Sequence, residues 1–290
     1  MDPLTVAVRR GGMVESRHRV HVVRLDPEGA VVEAHGDPGL VTFMRSAAKP
    51  IQALLLVRSY DDLAPEDIAI ASASHGARAE QLAAVRELLS RAGASEEDLE
   101  CGPVDGSRLK HNCSGKHAGF LCVCAAQGWP FEGYRLREHP LQREVLAAVD
   151  EAARLDGGLI PVAVDGCGVP TFGLSLEQMA ASFGRLVRNE LDGAERVVSA
   201  MGAHPALVEG PGWAATELMQ AIPGAVAKGG AEGVLCVGLE DGSALGLKVE
   251  DGSSRAALAA AAAMLDLADL RVSTIRNSRG EAVGAIEAES

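Results

Sequence analysis

The sequence predicts an α+β domain in which an antiparallel β-sheet is flanked by α-helices. Two observations carry this prediction: strand-like segments cluster towards both ends of the chain, and most segments between them have helical spacing. Runs of strands separated from runs of helices are typical of α+β proteins, whereas alternating strands and helices would indicate a parallel sheet. Because 290 residues without a low-complexity linker fit one large domain, we predict a single domain over residues 1–290.

Strands are predicted where apolar and β-branched residues are bounded by turns. The turns Gly11-Gly12 and Asp26-Pro27-Glu28-Gly29 separate the first three segments, and Asp241-Gly242 is typical of a hairpin. We expect the last segment to form an edge strand. The predicted strands cover residues 4–8, 13–24, 29–35, 159–165, 233–239, 244–250 and 282–287.

Helices are predicted where apolar residues recur every three or four positions. Leu82, Val85 and Leu88 show this spacing, and Pro140 suits the first turn of another helix. The short apolar run at 68–73 fits either a buried strand or the edge of a helix. The predicted helices comprise one that holds Ser46 and others at residues 78–93, 113–126, 140–153, 175–183, 190–201 and 255–268.

The composition argues against several classes of partner. The net charge is −13 and aromatic residues make up 3% of the chain, so a nucleic acid finds neither a basic surface nor many stacking platforms. No apolar run is long enough to span a membrane, and the N-terminal segment lacks the basic-then-apolar order of a secretory signal. Six cysteines without a repeating framework are typical of a reducing compartment. We therefore expect a cytoplasmic protein that binds a small molecule rather than nucleic acid or membrane.

A Ser-x-x-Lys motif at Ser46 and Lys49 is the first candidate for chemistry. Residues three apart on a helix lie on one face, so the hydroxyl and the amine are about one turn apart. A lysine amine is normally protonated, but burial or a second cation lowers its pKa until it can accept the serine proton. Ser107 and Lys110 repeat the motif in a polar loop, whereas Lys49 is followed by an apolar helix that could draw it into the core.

Other polar clusters punctuated by glycine stand at the ends of apolar runs, where glycine lets the backbone approach a ligand. Those at Ser46-x-x-Lys49, Ser74-His75 and Lys228-Gly229-Gly230 follow the order used by penicillin-recognising enzymes. That order supplies a nucleophile, an amine base, a second hydroxyl that relays a proton and a second cation. Taken alone, Lys228 fits a surface lysine in a glycine turn.

Longer motifs add a family resemblance. The segments His111–Gly119 and Asp165–Pro170, together with Arg10–Ser16 and Arg45–Pro50, resemble the Rhizobium etli-type L-asparaginases, the third structural class. The resemblance runs from about residue 5 to the C-terminus. It implies hydrolysis of the side-chain amide of L-asparagine to L-aspartate and ammonia, a fold similar to serine β-lactamases and penicillin-binding proteins, and a homodimer.

The resemblance also implies the catalytic and substrate-binding residues. Two Ser–Lys pairs of the family match Ser46–Lys49 and Ser74–Lys228. We expect Ser46 to be the nucleophile and Lys49 the base, although Ser74 also has a lysine partner and stays an alternative. Asp165 and His117 match family residues around the substrate and the metal. We further assign Arg45 and His75 to substrate binding, and expect Arg45 to meet the α-carboxylate and Asp165 the α-amino group.

A zinc ion is implied as well, one per chain, held by Cys113, Lys116 and Cys167 and serving substrate placement. The two cysteines are far apart in the sequence, so without the resemblance we would expect both to be buried thiols. Two soft thiolates suit zinc, and zinc can drive the loss of a lysine proton. The flanking glycines, Gly115 and Gly166, would let the backbone bring the ligands together.

Two other functions stay open at this point. One is a β-lactamase-like peptidase or esterase that acts on other acyl substrates, and the other is a non-catalytic binding protein on the same scaffold. The preference for asparagine over glutamine is also open, because one methylene in a pocket is worth only about 1–3 kcal/mol and the pocket volume decides.

Overall fold

The computed structural model describes residues 1–289 and has an α+β architecture, which confirms the predicted fold class. In this part of the chain the strands are β1 (Leu4–Arg10), β2 (Met13–Leu25), β3 (Val31–His35), β4 (Val41–Phe43), β5 (Val162–Val164), β6 (Pro170–Ser175), β7 (Val226–Gly230), β8 (Val234–Gly238), β9 (Ala244–Val249), β10 (Val272–Arg276) and β11 (Ala282–Ala288).

The α-helices lie mainly between these two groups of strands. They are α1 (Lys49–Ser59), α2 (Pro65–Ala71), α3 (Ala79–Ala92), α4 (Ser114–Gln127), α5 (Pro140–Ala153), α6 (Leu176–Val187), α7 (Ala194–Ala203), α8 (Pro205–Val208), α9 (Ala214–Ala221) and α10 (Ala257–Met264). Short 3-10 helices lie at Arg45–Ala48, Glu96–Asp98, Ser254–Ala256 and Ala268–Leu270. Over residues 1–289, none of the helices combines the length and the apolar character needed to cross a membrane.

One large antiparallel sheet is organised around β2. The strand order is β10-β11-β1-β2-β9-β8-β7, and β3 pairs with β2 outside this path. β2 reaches three neighbours because it is long: its first half pairs with β1 and its second half with β9 and β3. Both α6 and α10 pack against β2, which explains why the consecutive residues Val22 and Val23 are both buried. A smaller sheet has the order β4-β6-β5.

The predicted edge strand near the C-terminus is an interior strand, so that prediction was wrong. β11 lies between β1 and β10 and pairs antiparallel with both. The error follows from missing β10, whose sequence Val-Ser-Thr-Ile-Arg is only partly apolar. A turn in which the N–H of Gly280 donates to the carbonyl oxygen of Asn277 folds β10 back onto β11. Along the main path of the sheet, β10 and β7 are the edges.

Helix positions follow local signals where those signals are strong. α5 spans residues 140–153 as predicted, with Pro140 in its first turn. The apolar run at 68–73 proves to be the end of α2, which begins at Pro65. Strands β4, β6, β7 and β10 and helices α8 and α9 lie outside the predicted elements. β7 escapes prediction because two of its five residues are glycines, which are depleted in strands.

Two glycines permit the close packing that assembles the candidate site. A Cβ atom at Gly115 in α4 would overlap the carbonyl oxygen of Ile70 in α2. A Cβ atom at Gly230 in β7 would lie 2.8 Å from the carbonyl oxygen of Met44, next to the 3-10 helix that contains Ser46. Strand β7 and the 3-10 helix before α1 therefore meet closely, and α4 packs against both α1 and α2.

Candidate active site

The amine of Lys49 is buried at the centre of the candidate site. Lys49 begins α1 and is 1% exposed; its Nζ atom donates to the carbonyl oxygen of Ala73 at 2.5 Å and to Ser74 Oγ at 3.0 Å. Burial lowers the pKa of Lys49 from 10.5 to about 8, and the nearby charges of Lys228 and Lys116 lower it too, against the opposing effect of Cys113. An amine with such a pKa is partly neutral near neutral pH and can accept a proton.

Ser46 stands in the 3-10 helix directly before α1. The preceding residue, Arg45, has a φ of +51°, a left-handed conformation that is uncommon for residues with a side chain. Its N–H donates to Thr171 Oγ1 at 3.2 Å, which helps to hold this conformation. The Ser46 side chain is half-buried, and its hydroxyl makes no hydrogen bond to other side chains or backbone in the part of the chain described. Its hydroxyl is therefore free to meet a ligand.

Lys228 is fully buried in β7, and its partner is a residue that the sequence analysis does not single out. Its Nζ atom donates to Glu209 Oε1 at 2.5 Å and to the carbonyl oxygen of Gly229 at 2.7 Å. The structure thus joins Ser74 to Lys49 and Lys228 to Glu209, without a hydrogen bond between Ser74 and Lys228. Among residues 1–289, no carboxylate forms an equivalent ion pair with Lys49.

His75 is held as a neutral imidazole by two neighbours. Ser114 Oγ donates to the carbonyl oxygen of Leu109 at 2.7 Å, so it accepts a hydrogen bond from His75 Nε2 at 2.9 Å. His75 Nδ1 in turn accepts from the N–H of Ala77 at 3.2 Å. Burial, followed by the charge of Lys49, lowers the pKa of His75 to about 4. Both ring nitrogens are engaged within the protein, and His75 ties the loop that contains Ser74 to the start of α4.

Cys113, Lys116 and Cys167 come together from two distant segments and are all buried. Lys116 Nζ donates to Cys167 Sγ at 3.1 Å. The neighbouring Cys167 thiol lowers the pKa of Cys113 well below its usual 9.0, and the charges of Lys49 and Lys116 act in the same direction. One thiolate is therefore stabilised in this cluster.

The donor set of this cluster fits zinc. No group of three or more His, Cys, Asp and Glu side chains within residues 1–289 is arranged to hold a metal. A metal here would therefore need the amine of Lys116 as its third ligand beside the two thiols. Two soft sulfur atoms and one nitrogen are ligands that zinc accepts, and a fourth position would stay open for substrate or water.

Arg45 and Asp165 form an ion pair next to this cluster. Arg45 Nε lies 2.7 Å from Asp165 Oδ1, which also accepts from the N–H of Gly166 at 2.7 Å. The backbone of Asp165 closes a turn, since its carbonyl oxygen accepts from the N–H of Gly168 at 2.9 Å. Cys167 stands within that turn, so the same local structure positions a carboxylate and a thiol.

His117 carries a buried ring nitrogen without a partner. Tyr134 Oη accepts from the N–H of Glu100 at 2.9 Å, which leaves its own proton for His117 Nδ1 at 2.6 Å. The His117 proton then resides on Nε2, which has no hydrogen-bond partner among the described residues. Burial holds the pKa of His117 well below 6.5, so the ring is neutral. A buried N–H of this kind is costly unless a ligand accepts from it.

Sequence reasoning missed Glu209 and Tyr134. Glu209 precedes Gly210-Pro211-Gly212 at the end of an apolar run, the same glycine-punctuated pattern that marks the other clusters, so a signal was present. Tyr134 lies in a turn-rich segment without such a pattern. Its contact with His117 arises from tertiary packing alone.

The chain was compared with curated proteins and with solved structures. No curated protein matches the chain. Among solved structures, a β-lactamase from Mycobacterium bovis has 15% identity and a TM-score of 0.42, over 81% of this chain and 88% of that one. A protein named Mglu in its native form has 15% identity and a TM-score of 0.48, over 87% of this chain and 64% of that one. The same protein in its Tris and glutamate form has 15% identity and a TM-score of 0.48, over 93% and 64% of the two chains.

The sequence profile described as L-asparaginase II matches residues 6–288, almost the whole chain. This match agrees with the resemblance carried by the motifs around Ser46, His117 and Asp165. The chain therefore belongs to the L-asparaginase II family and is an amide hydrolase, an L-asparaginase.

Proposed function

We propose that this L-asparaginase releases ammonia from L-asparagine through an acyl-enzyme, with Ser46 as the nucleophile and Lys49 as the general base. The observation that carries the proposal is the position of the Lys49 amine. It is buried, it has no carboxylate partner among the described residues, it follows Ser46 by one helical turn, and it lies 3.0 Å from Ser74 Oγ. A buried amine without a counter-ion is the form of lysine that can remove a serine proton.

The steps balance with these groups alone. Lys49 accepts the hydroxyl proton of Ser46 while Ser46 Oγ attacks the side-chain amide carbon of the substrate. The proton then passes to the leaving nitrogen, directly or through the Ser74 hydroxyl, and ammonia departs as the C–N bond breaks. Lys49 next deprotonates a water molecule that cleaves the ester, releases aspartate and returns the proton to Ser46 Oγ.

Ser74 is the second candidate for the nucleophile, and one observation favours it. Its hydroxyl oxygen is the one in direct contact with Lys49 Nζ, at 3.0 Å. A nucleophile and its base are expected within hydrogen-bond distance, although such contacts often tighten only when substrate binds. The roles of Ser46 and Ser74 would then be exchanged, and the chemistry of the base would be unchanged.

The ion pair between Arg45 and Asp165 suits an α-amino acid substrate. Such a substrate carries a carboxylate and an ammonium group, which can each replace one member of the pair. Arg45 would meet the α-carboxylate and Asp165 the α-amino group. The unpartnered N–H of His117 Nε2 offers a neutral donor for a substrate oxygen. We assign His75 to this site through the loop that it holds, since its own nitrogens are engaged.

We also propose that Cys113, Lys116 and Cys167 bind one zinc ion per chain. When bound, the metal would supply a Lewis acid beside the substrate. Asp165 and His117 neighbour these residues in the sequence, so the chain can orient substrate next to them. The family resemblance further supports a homodimer, and the free, buried cysteines among residues 1–289 are consistent with a cytoplasmic location.

Ammonia release from L-asparagine by Ser46→Ala, Ser74→Ala and Ser107→Ala variants tests the proposal. We expect the first two changes to lower kcat by several orders of magnitude, and Ser107→Ala, in the second Ser-x-x-Lys motif, to leave it near wild type. Rapid acid quenching followed by peptide mass spectrometry would identify the acylated serine. Full activity of Ser46→Ala would eliminate Ser46 as the nucleophile, and the acyl mass on Ser74 would exchange the two roles.

A further inference from the structure

Glu209 and Lys228 form a buried ion pair that the catalytic scheme above does not use. Lys228 is fully buried and Glu209 is 6% exposed. Glu209 Oε1 accepts from Lys228 Nζ at 2.5 Å and from the N–H of Gly229 at 3.1 Å. Lys228 Nζ also donates to the carbonyl oxygen of Gly229 at 2.7 Å. The carboxylate thus holds both the side chain and the backbone of this part of β7.

The segment that contains Glu209 is joined directly to the loop that contains Ser74. The N–H of Ser74 donates to the carbonyl oxygen of Val208 at 2.7 Å. The buried side chain of Gln81 makes a second connection, because its Nε2 donates to Ala206 and Leu207 carbonyl oxygens at 3.1 and 3.3 Å. Its Oε1 accepts from the N–H of Gly76 at 3.0 Å. Hydrogen bonds therefore connect the segment that contains Glu209 to the loop that contains Ser74.

Lys228 also lies close to the nucleophile's helix. Gly230, two residues further along β7, packs against the backbone of Met44 and Ala47 on either side of Ser46. The charge of Lys228 acts on Lys49 through space. Lys49 and Lys228 are therefore two buried amines that interact electrostatically, and of these two only Lys228 has a carboxylate partner among the residues described.

A buried ion pair is not an efficient way to stabilise a fold. Desolvation of the two charges offsets much of their attraction, and apolar replacements are often neutral or stabilising. A pair buried beside a reactive amine has a different use, since a carboxylate in contact with an ammonium group favours the charged form of that group. Glu209 therefore favours the ammonium form of Lys228, whereas Lys49 has no such carboxylate among the described residues.

We propose that Glu209 is a positioning residue that keeps Lys228 in place and in its ammonium form, so that Lys228 serves as a fixed cation and Lys49 is the only amine base. This inference rests on the proposed acyl-enzyme function. A fixed cation beside the pocket lowers the proton affinity of Lys49 and stabilises the negative charge that develops on the substrate oxygen during attack. A lysine free to lose its proton would do neither at alkaline pH.

The other charged or titratable groups on elements around Lys228 have their own environments. Cys236 lies opposite Lys228 in β8, and burial raises its pKa to about 12. Arg45 is paired with Asp165, and Glu217 in α9 accepts from the N–H of Gly212 at 2.8 Å. The remaining groups are Lys49, which begins α1, and Glu195 and Arg196, which belong to α7.

The pH dependence of kcat for asparagine in Glu209→Gln tests this proposal, with Glu217→Gln as the matched control. Both glutamates accept a backbone N–H, but only Glu209 contacts a lysine. In Glu209→Gln, Lys228 loses the carboxylate that pairs with its ammonium group. We expect kcat of this variant to decrease at alkaline pH values where the wild-type kcat is still level, with the decrease starting about one pH unit or more lower than in wild type, which is the usual effect of removing an opposite charge at this distance. Glu209→Asp, which keeps the charge, should keep the wild-type profile.

A wild-type pH profile of an active Glu209→Gln enzyme would overturn the proposal, as would higher activity of this variant near neutral pH. If Glu209→Gln does not fold, ¹⁵N-lysine NMR of the wild-type protein supplies the test, with Lys228→Met used for assignment. The order in which the two amines lose their protons is the readout, and Lys49, which has no carboxylate partner among the described residues, should be the first. The opposite order would contradict the proposal. These results concern Glu209 alone, because retained activity of Ser46→Ala and Ser74→Ala is what would refute the underlying Ser–Lys mechanism.

Discussion

Lys49 Nζ lies 3.0 Å from Ser74 Oγ, whereas Ser46, its partner in the Ser-x-x-Lys motif, makes no hydrogen bond to it. The Lys49 amine is therefore near two serines. Ser74 is hydrogen-bonded to it, and Ser46 precedes it in the chain by one helical turn. This arrangement would allow Lys49 to act as the base for either serine, as proposed above, and its protonation state would then control the rate.

The rate of ammonia release should increase with pH through the pKa of Lys49. A general base works in its deprotonated form, and burial places the pKa of Lys49 at about 8. We therefore expect kcat/KM to fall about tenfold for each pH unit below that value and to level off above it. Initial rates measured from about pH 5.5 to about pH 9 give the profile. A rate independent of pH below about 7 would show that another group accepts the proton.

Lys49→Met should be inactive and yet more stable than wild type at neutral pH. The folded state releases the Lys49 proton near pH 8 and the unfolded state near 10.5, so between these values the unfolded state holds more protons and the free energy of unfolding rises with pH. Below pH 8 both states are protonated and the full cost of burying the charge is present. Removing the amine should then raise the free energy of unfolding by up to about 3 kcal/mol.

Urea unfolding at about pH 7 and about pH 10.5 measures this effect, with Lys110→Met as the control. Lys110 belongs to the second Ser-x-x-Lys motif, and 41% of its side chain is exposed, so its removal should change stability by less than about 0.5 kcal/mol. The advantage of Lys49→Met should shrink at the higher pH. A variant destabilised at both pH values would mean that the amine contributes more through its hydrogen bonds than its burial costs.

Purified protein should contain close to one zinc per chain, and Cys113→Ser should lose most of it. If the metal places substrate, as proposed, this variant should have a raised KM and a smaller change in kcat. Cys124→Ala, which removes a buried thiol outside the cluster, should keep its metal. Elemental analysis and steady-state kinetics provide the two readouts. Fully active enzyme without metal would contradict the zinc site and would mean that Cys113 and Cys167 are buried core residues only.

Gly230→Ala should disturb the site from a distance. The added Cβ would lie 2.8 Å from the carbonyl oxygen of Met44 and 3.3 Å from the backbone nitrogen of Ala47, so β7 or the 3-10 helix must move. We expect about 1–3 kcal/mol of destabilisation and a large loss of kcat. Gly202→Ala in α7 is the control, since an added Cβ there meets nothing within 4 Å and favours the helix. Thermal unfolding and ammonia release distinguish the two, and equal behaviour of both variants would contradict the packing argument.

Local patterns were sufficient for much of the fold. Pro140 and the apolar spacing after it located α5 correctly, and the Gly11-Gly12 turn located the hairpin of β1 and β2. These signals act between neighbours in the chain, where residue type and periodicity decide the conformation. Strand β7 and the interior position of β11 escaped prediction because pairing partners, not composition, make these segments strands.

The sequence by itself determined the inventory of chemistry: the Ser46–Lys49 motif, the thiols of Cys113 and Cys167, and the family to which these motifs point. Only the tertiary structure decided the partners. In the folded protein Lys49 is hydrogen-bonded to Ser74, and Lys228 forms an ion pair with Glu209. Packing between distant segments decides which buried polar atoms lie within hydrogen-bond distance. Burial also lowers the pKa of Lys49, since the cost of desolvation is a property of the folded interior and not of the residue alone.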